Sequence, residues 1–259
     1  MKTLKKLPLI LTILSLVSFI TPVNAEVKVV TSIKPLHSLA SYLMDGVGKP
    51  DLIVDGYASP HGFSMKPSHA KMLQDADLIF WVGEDLENFL EKPLNSIAKK
   101  AEKIELMDIK GLNVLSFRER NIFDDHDDHD DHDGHSKKKK DDHDDHDDHD
   151  GHTKKKKDDH DDHDDHEGHG HGEYDPHIWL DPINAKVILK EMTEHLIEND
   201  SKNASTYKSN LDKALKDIDK LTMDVMTELN QSVASIVFHD AYQYFEERFN
   251  VNILGAFTV

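Results

Sequence analysis

Cysteine is absent from the 259 residues, whereas histidine occurs 19 times. Without Cys there is no disulfide, no thiolate metal site, no Cys nucleophile and no lipid-modified N-terminal Cys. Six histidines stand outside a single repetitive tract: His37, His61, His69, His177, His195 and His239. His37, His69 and His195 fall in or beside helical patterns, where a surface or core role is the plain expectation. His61 lies in a Ser59-Pro60-His61-Gly62 loop beyond the second predicted strand, and His177 in the Tyr174-Asp175-Pro176-His177 loop. His239 directly follows a predicted strand over 233–238. Ligand sites in open α/β sheets gather at the carboxyl ends of strands. Three neutral imidazoles from separate loops are an ordinary ligand set for Zn2+, which takes nitrogen at about 2.0–2.1 Å in tetrahedral geometry. His61, His177 and His239 are therefore the candidate metal ligands, although long-range spacing alone is a weak signal.

The other thirteen histidines are His126, His129, His132, His135, His143, His146, His149, His152, His160, His163, His166, His169 and His171. All lie in residues 124–172. Residues 124–140 read DDHDDHDDHDGHSKKKK, residues 141–157 repeat them with Thr153 for Ser136, and residues 158–172 begin alike and end EGHGHG. The tract has no large apolar residue, so it cannot bury enough surface to offset the entropy of ordering. It reads as a disordered insert, tolerated because loop-closure entropy grows slowly with length. Imidazole suits zinc, nickel and copper. A merely solvated loop is the alternative, but one that needs no such run of imidazoles. As a flexible tract it should hold several ions weakly. It carries 21 acids and 8 Lys, which accounts for −13 of the formal net charge of −19. That balance excludes nucleic acid as a natural partner and points to cations.

The elements that must position the trio follow from periodicity. Apolar runs over 27–33, 51–57, 77–83 and 101–107 alternate with helical patterns over 35–44, 67–74 and 86–100. Such alternation indicates βαβ units and a parallel sheet with right-handed crossovers. Beyond the insert, Asp181-Pro182 is a helix start, an N-cap followed by Pro at the first helical position. A second helix over 203–230 would be about 42 Å long at 1.5 Å per residue, which suits a strut between two lobes. A strand, a helix over 241–249 and a strand over 251–259 follow. About 27 residues cannot bury a core of their own, so the expectation is a second lobe that is truncated in this chain.

Residues 1–25 are read as an address. Lys2, Lys5 and Lys6 precede an apolar run over 7–20 and then Thr21-Pro22-Val23-Asn24-Ala25, a secretory signal peptide with cleavage expected after Ala25. The run is short of the ~20 residues of a membrane span. The predicted organisation is a signal peptide (1–25), an N-terminal α/β lobe (26–123 and 173–200) interrupted by the insert (124–172), a linker helix (201–231) and the start of a C-terminal lobe (232–259).

Four stretches carry a resemblance: VVTSIKPLHSLA, ASPHGFSMKPSHAKML, DPHIWLDP and VFHDAYQYFEERF. Through them residues 26–259 resemble the periplasmic metal-binding proteins of ABC importers, in particular the zinc-uptake solute-binding proteins. The resemblance implies two α/β lobes joined by one rigid helix with the metal in the cleft. It implies zinc ligands at His61, His177 and His239, where manganese-binding relatives have Glu at the third position. It also implies delivery of Zn2+ in the periplasm to a membrane permease with a cytoplasmic ATPase, by a monomeric protein that is not an enzyme. Two departures stand out. Pro60, with Ser59 before it, occupies the place where some members carry an acid, and the second-lobe carboxylate of many members would lie beyond Val259. The fourth ligand is then water or a histidine of the insert. A periplasmic zinc buffer or chaperone acting mainly through the insert is the competing reading. A metallohydrolase is disfavoured by the absence of H-E-x-x-H, and an adhesive role has no residue signature.

Overall fold

Short β-branched and aromatic runs build the sheet. β1 (Val29–Thr31) and β3 (Leu78–Trp81) are buried at every position, as central parallel strands covered on both faces must be. With β2 (Asp51–Leu52) and β4 (Glu102–Glu105) they form a sheet in the order β2-β1-β3-β4. Every pairing is parallel, with Val30 opposite both Asp51 and Ile79, and Ile79 opposite Lys103. Helices α1 (Lys34–Leu43), α2 (Pro67–Asp75) and α3 (Glu84–Ser96) are the crossovers. The computed structural model describes residues 26–118, 173–229 and 232–258. The signal peptide with its cleavage after Ala25, and the insert with its thirteen histidines, lie outside the described residues.

The second strand is shorter than the 51–57 that periodicity predicts. The amides of Ile53 and Val54 still donate to the carbonyls of Thr31 and Ser32 at 3.0 and 2.9 Å. Gly56, at φ +65°, then turns the chain out into the loop that carries His61, a conformation that glycine adopts at no steric cost. α3 ends at Ser96 rather than near residue 100 and is bent at Glu87 (φ −117°, ψ 49°). There the Glu87 side chain points inward and accepts from the amides of Val82 and Gly83 at 3.0 and 2.9 Å, and from the Ser32 hydroxyl.

Beyond the insert, α4 (Pro182–Asn199) starts as predicted: Asp181 Oδ1 accepts from the Ile183 amide at 2.8 Å and Pro182 opens the helix. α5 (Ala204–Glu228) is 25 residues long, roughly 38 Å. Its first half docks on the N-terminal part. Tyr207 and Ala214 are buried, and Asn210 Nδ2 donates to the carbonyls of Leu43 and Asp45 at 2.8 and 2.9 Å. Its second half exposes Leu221, Met223 and Met226. It leads to a second parallel pair, β5 (Ala234–His239) and β6 (Asn252–Thr258), with α6 (Gln243–Phe249) between them. Asn250 closes α6 in the left-handed conformation (φ 51°) that polar C-cap residues adopt. The architecture is thus α/β, with parallel sheets at both ends of one long helix. No helix among the described residues is long and apolar enough to cross a membrane.

Candidate metal centre

Each histidine of the trio is placed by a different local device. His61 occupies the middle of a single 3-10 turn (Pro60–Gly62), entered through Ser59, whose Oγ accepts from the His61 amide at 3.3 Å. His177 stands immediately before a second 3-10 turn (Ile178–Leu180), which runs into Asp181 and the start of α4. His239 is the last residue of β5. The three loops converge. The ring centroids of His61 and His177 are 5.9 Å apart, those of His61 and His239 5.3 Å, and those of His177 and His239 5.2 Å. One ring nitrogen from each lies within 4.8 Å of the other two, and the Nε2 atoms of His177 and His239 are 3.4 Å apart. For ligands about 2.0–2.1 Å from one tetrahedral ion the expected separation is about 3.3 Å, so the trio fits a shared zinc ion.

His177 is buried, His239 half-buried and His61 exposed, so the site opens to solvent on the His61 side. The cleft around it also takes in Ile33, Val54, Tyr57, Trp179 and Tyr242. Asp175, itself buried, accepts from the His177 amide at 2.9 Å, and its Oδ1 lies 2.7 Å from His177 Nδ1. With the proton on Nδ1 donated to this carboxylate, the lone pair is on Nε2, the atom 3.4 Å from His239 Nε2. Burial, and then the neighbouring His177, hold the His239 imidazole below the ordinary histidine pKa. That ring therefore stays neutral, with its lone pair available, to lower pH than a free imidazole.

Residues that sequence reasoning passed over hold this frame. Arg118 donates through Nε to Asp240 Oδ2 at 3.0 Å and through Nη1 to Glu246 Oε2 at 2.9 Å, which fixes the residue next to His239. Arg248 donates to both carboxylate oxygens of Asp181, at 2.8 and 2.6 Å, and joins α6 to the start of α4. Tyr244 OH donates to the Asp175 carbonyl at 2.7 Å. Apart from Asp181, already legible as a helix N-cap, only Asp175 left a signal in the sequence: an Asp two residues before a His is the spacing of an Asx turn. The remaining histidines have other work. His37 Nε2 lies 3.1 Å from the Pro50 carbonyl, and buried His69 accepts from the Lys66 amide at 3.1 Å at the start of α2. His195 sits among Glu102, Glu191 and Glu198, outside the cleft.

The stems of the insert meet beside this site. Ser116 and Tyr174 form an antiparallel bridge, with the Phe117 amide donating to the Glu173 carbonyl at 3.0 Å and the Asp175 amide to the Leu115 carbonyl at 2.9 Å. Residues 115–117 and 173–175, on either side of the insert, are thus paired next to His177.

Residues 29–259 match the family model described as ZnuA, zinc-uptake complex component A, periplasmic. The chain is 47% identical over 233 residues to the high-affinity zinc uptake system protein ZnuA of Brucella abortus, covering 89% of this chain and 67% of that protein. It is 33% identical over 237 residues to the protein of the same name from Yersinia pestis, covering 91% and 67%. The chain therefore spans about two thirds of the length of these relatives. Among solved structures, a zinc-bound 138-173 deletion mutant of ZnuA superposes with a TM-score of 0.63 at 18% identity, over 90% of this chain and 71% of that one. The Zn(II)-bound ZnuA-like domain of Streptococcus pneumoniae AdcA gives 0.59 at 15% identity, over 90% and 67%.

Proposed function

Because the chain belongs to the ZnuA family of periplasmic zinc-uptake components, we propose that it captures Zn2+ between His61, His177 and His239 and passes it to the permease of an ABC importer driven by a cytoplasmic ATPase. Zinc is the cargo, and the compartment is the periplasm. The protein works there as a monomer after removal of residues 1–25, and it carries out no reaction on its cargo. The observation that carries this reading is the convergence of three imidazoles from three separate loops, with one ring oriented by a buried carboxylate. Three nitrogens leave one tetrahedral position for water or for an insert histidine. That open position and the exposed His61 suit an ion that must be released again.

The thirteen histidines of the insert are a low-affinity collector. Support comes from the paired stems at Ser116 and Tyr174, which tether the tract beside His177 and raise the local zinc concentration at the cleft. Calorimetry with zinc tests both roles. Changing His61, His177 and His239 together to Ala should abolish the near-stoichiometric tight phase and leave the weak phase. Deleting residues 124–172 should do the reverse. If the deletion removed most tight binding, the protein would be a buffer acting through its insert.

A further inference from the structure

A second cluster of ligand atoms lies away from the cleft. Glu102 opens the edge strand β4, and His195 and Glu198 stand one turn apart near the end of α4. His195 Nδ1, Glu102 and Glu198 each offer one atom within 4.8 Å of the other two. His195 Nε2 lies 3.3 Å from Glu191 Oε1. A proton on Nε2, donated there, leaves a lone pair on Nδ1. That Nδ1 is buried and makes no hydrogen bond, although Glu102 Oε1 is only 2.8 Å away and Glu198 Oε2 is 3.9 Å away. A lone pair facing carboxylate oxygens is repulsive unless a cation lies between them, either a second ring proton or a metal ion. Asn199 Nδ2 donates to the other Glu102 oxygen at 2.7 Å and to the His195 carbonyl at 2.9 Å. It holds the carboxylate in place as outer partners of metal ligands do. Among the described residues no Lys or Arg forms an ion pair with Glu102, Glu191 or Glu198.

We propose that Glu102, His195 and Glu198 form a second divalent-metal site that takes Zn2+ more weakly than the cleft and ties the end of α4 to edge strand β4. One imidazole and two carboxylates suit a borderline ion such as zinc, and the 2.8 and 3.9 Å separations bracket the roughly 3.3 Å edge of a tetrahedral zinc site. Glu102 stands at the amino end of β4, and neither it, His195 nor Glu198 lines the cleft that holds His61, His177 and His239, so the two sites are separate. Its ligands are open to solvent through Glu198 (70% exposed), which suits weak, exchangeable binding.

The test is a zinc titration of the full chain followed by nitrogen-15 NMR of the imidazoles, with the His195 signals identified by their loss in His195→Gln. The expected result is that His195 Nδ1 moves to the metal-bound range after the cleft has filled, and that Glu102→Gln weakens this response by at least about tenfold. The same response should persist when His61, His177 and His239 are all changed to Ala, so this site and the cleft fail separately. Two results would overturn the proposal. One is a His195 ring protonated on both nitrogens and unmoved up to millimolar zinc; the other is a response of full strength in Glu102→Gln.

Discussion

Asp175 and His177 are bonded twice: one carboxylate oxygen lies 2.7 Å from the ring Nδ1 and 2.9 Å from the backbone amide of the same histidine. The Pro176 between them restricts the backbone that sets this geometry. A buried carboxylate that fixes a ring's orientation and raises its basicity is the usual outer partner of a metal-bound histidine. Asp175→Ala should therefore weaken zinc binding by about 10–100-fold, measured by competition with a chromophoric chelator. Unchanged affinity in a folded variant would mean that His177 needs no such support.

The apo site should also show its neighbours in its titration. Burial and His177 lower the His239 pKa, and protons compete with zinc for each imidazole. In the metal-free protein the His239 ring should titrate by NMR with a midpoint below the usual 6.5. Zinc affinity should fall as pH drops through and below that region, because all three rings must be neutral to bind. A midpoint at or above 6.5 would show that burial does not dominate at this ring.

Arg118 closes the junction between the two parts of the molecule. Its partners Asp240 and Glu246 have side chains only 6% and 13% exposed, so removing the guanidinium strands two carboxylates. Fully buried pairs cost 3–5 kcal/mol when broken. Arg118 reaches solvent, which reduces the expected loss for Arg118→Ala to about 2 kcal/mol, read by urea unfolding. Arg118→Lys should recover only part of it, since Lys lacks the planar fork that serves two acids at once. Full recovery would reduce the contact to simple charge.

Glu87 gives a stability effect of opposite sign to the usual carboxylate. Burial raises its pKa to about 7 from 4.5, against the opposing hydrogen bonds from Ser32, Gly83 and Val82. Between those values the folded protein binds more protons than the unfolded chain, so this group makes stability fall as pH rises from about 4.5 to 7. Glu87→Gln keeps the shape and removes the titration. Relative to the parent, the variant should gain about 2–3 kcal/mol between pH 5 and pH 8. Parallel pH profiles of the two proteins would show that Glu87 ionises normally.

The α/β alternation was legible because buried parallel strands such as Leu78–Trp81 are continuous apolar runs, and because Asp181-Pro182 punctuates a helix start unmistakably. The histidine trio was only weakly legible: His61 and His239 lie beyond predicted strands, where such folds gather ligands, but His177 lies in a long loop and the spacing alone is a weak signal. Strand and helix ends were also weakly legible. Whether residues 53–57 stay in the sheet is decided by the turn at Gly56, and α3 bends because Glu87 turns inward to the amides of Val82 and Gly83. Neither event leaves a periodic trace. The ion pairs of Arg118 with Asp240 and of Arg248 with Asp181 link positions 122 and 67 residues apart, and no local pattern encodes such distances. His195 looked like an ordinary helix-face histidine because its partner Glu102 arrives from a different strand.

The tight zinc ion is assigned to His61, His177 and His239, not to the insert. That assignment is tested most directly by crystallography of the full chain with one equivalent of zinc, locating the metal by its anomalous scattering. The expected result is a single strong peak about 2.0–2.1 Å from one ring nitrogen each of His61, His177 and His239. A first-equivalent ion held by insert histidines, or elsewhere without these three rings, would contradict it.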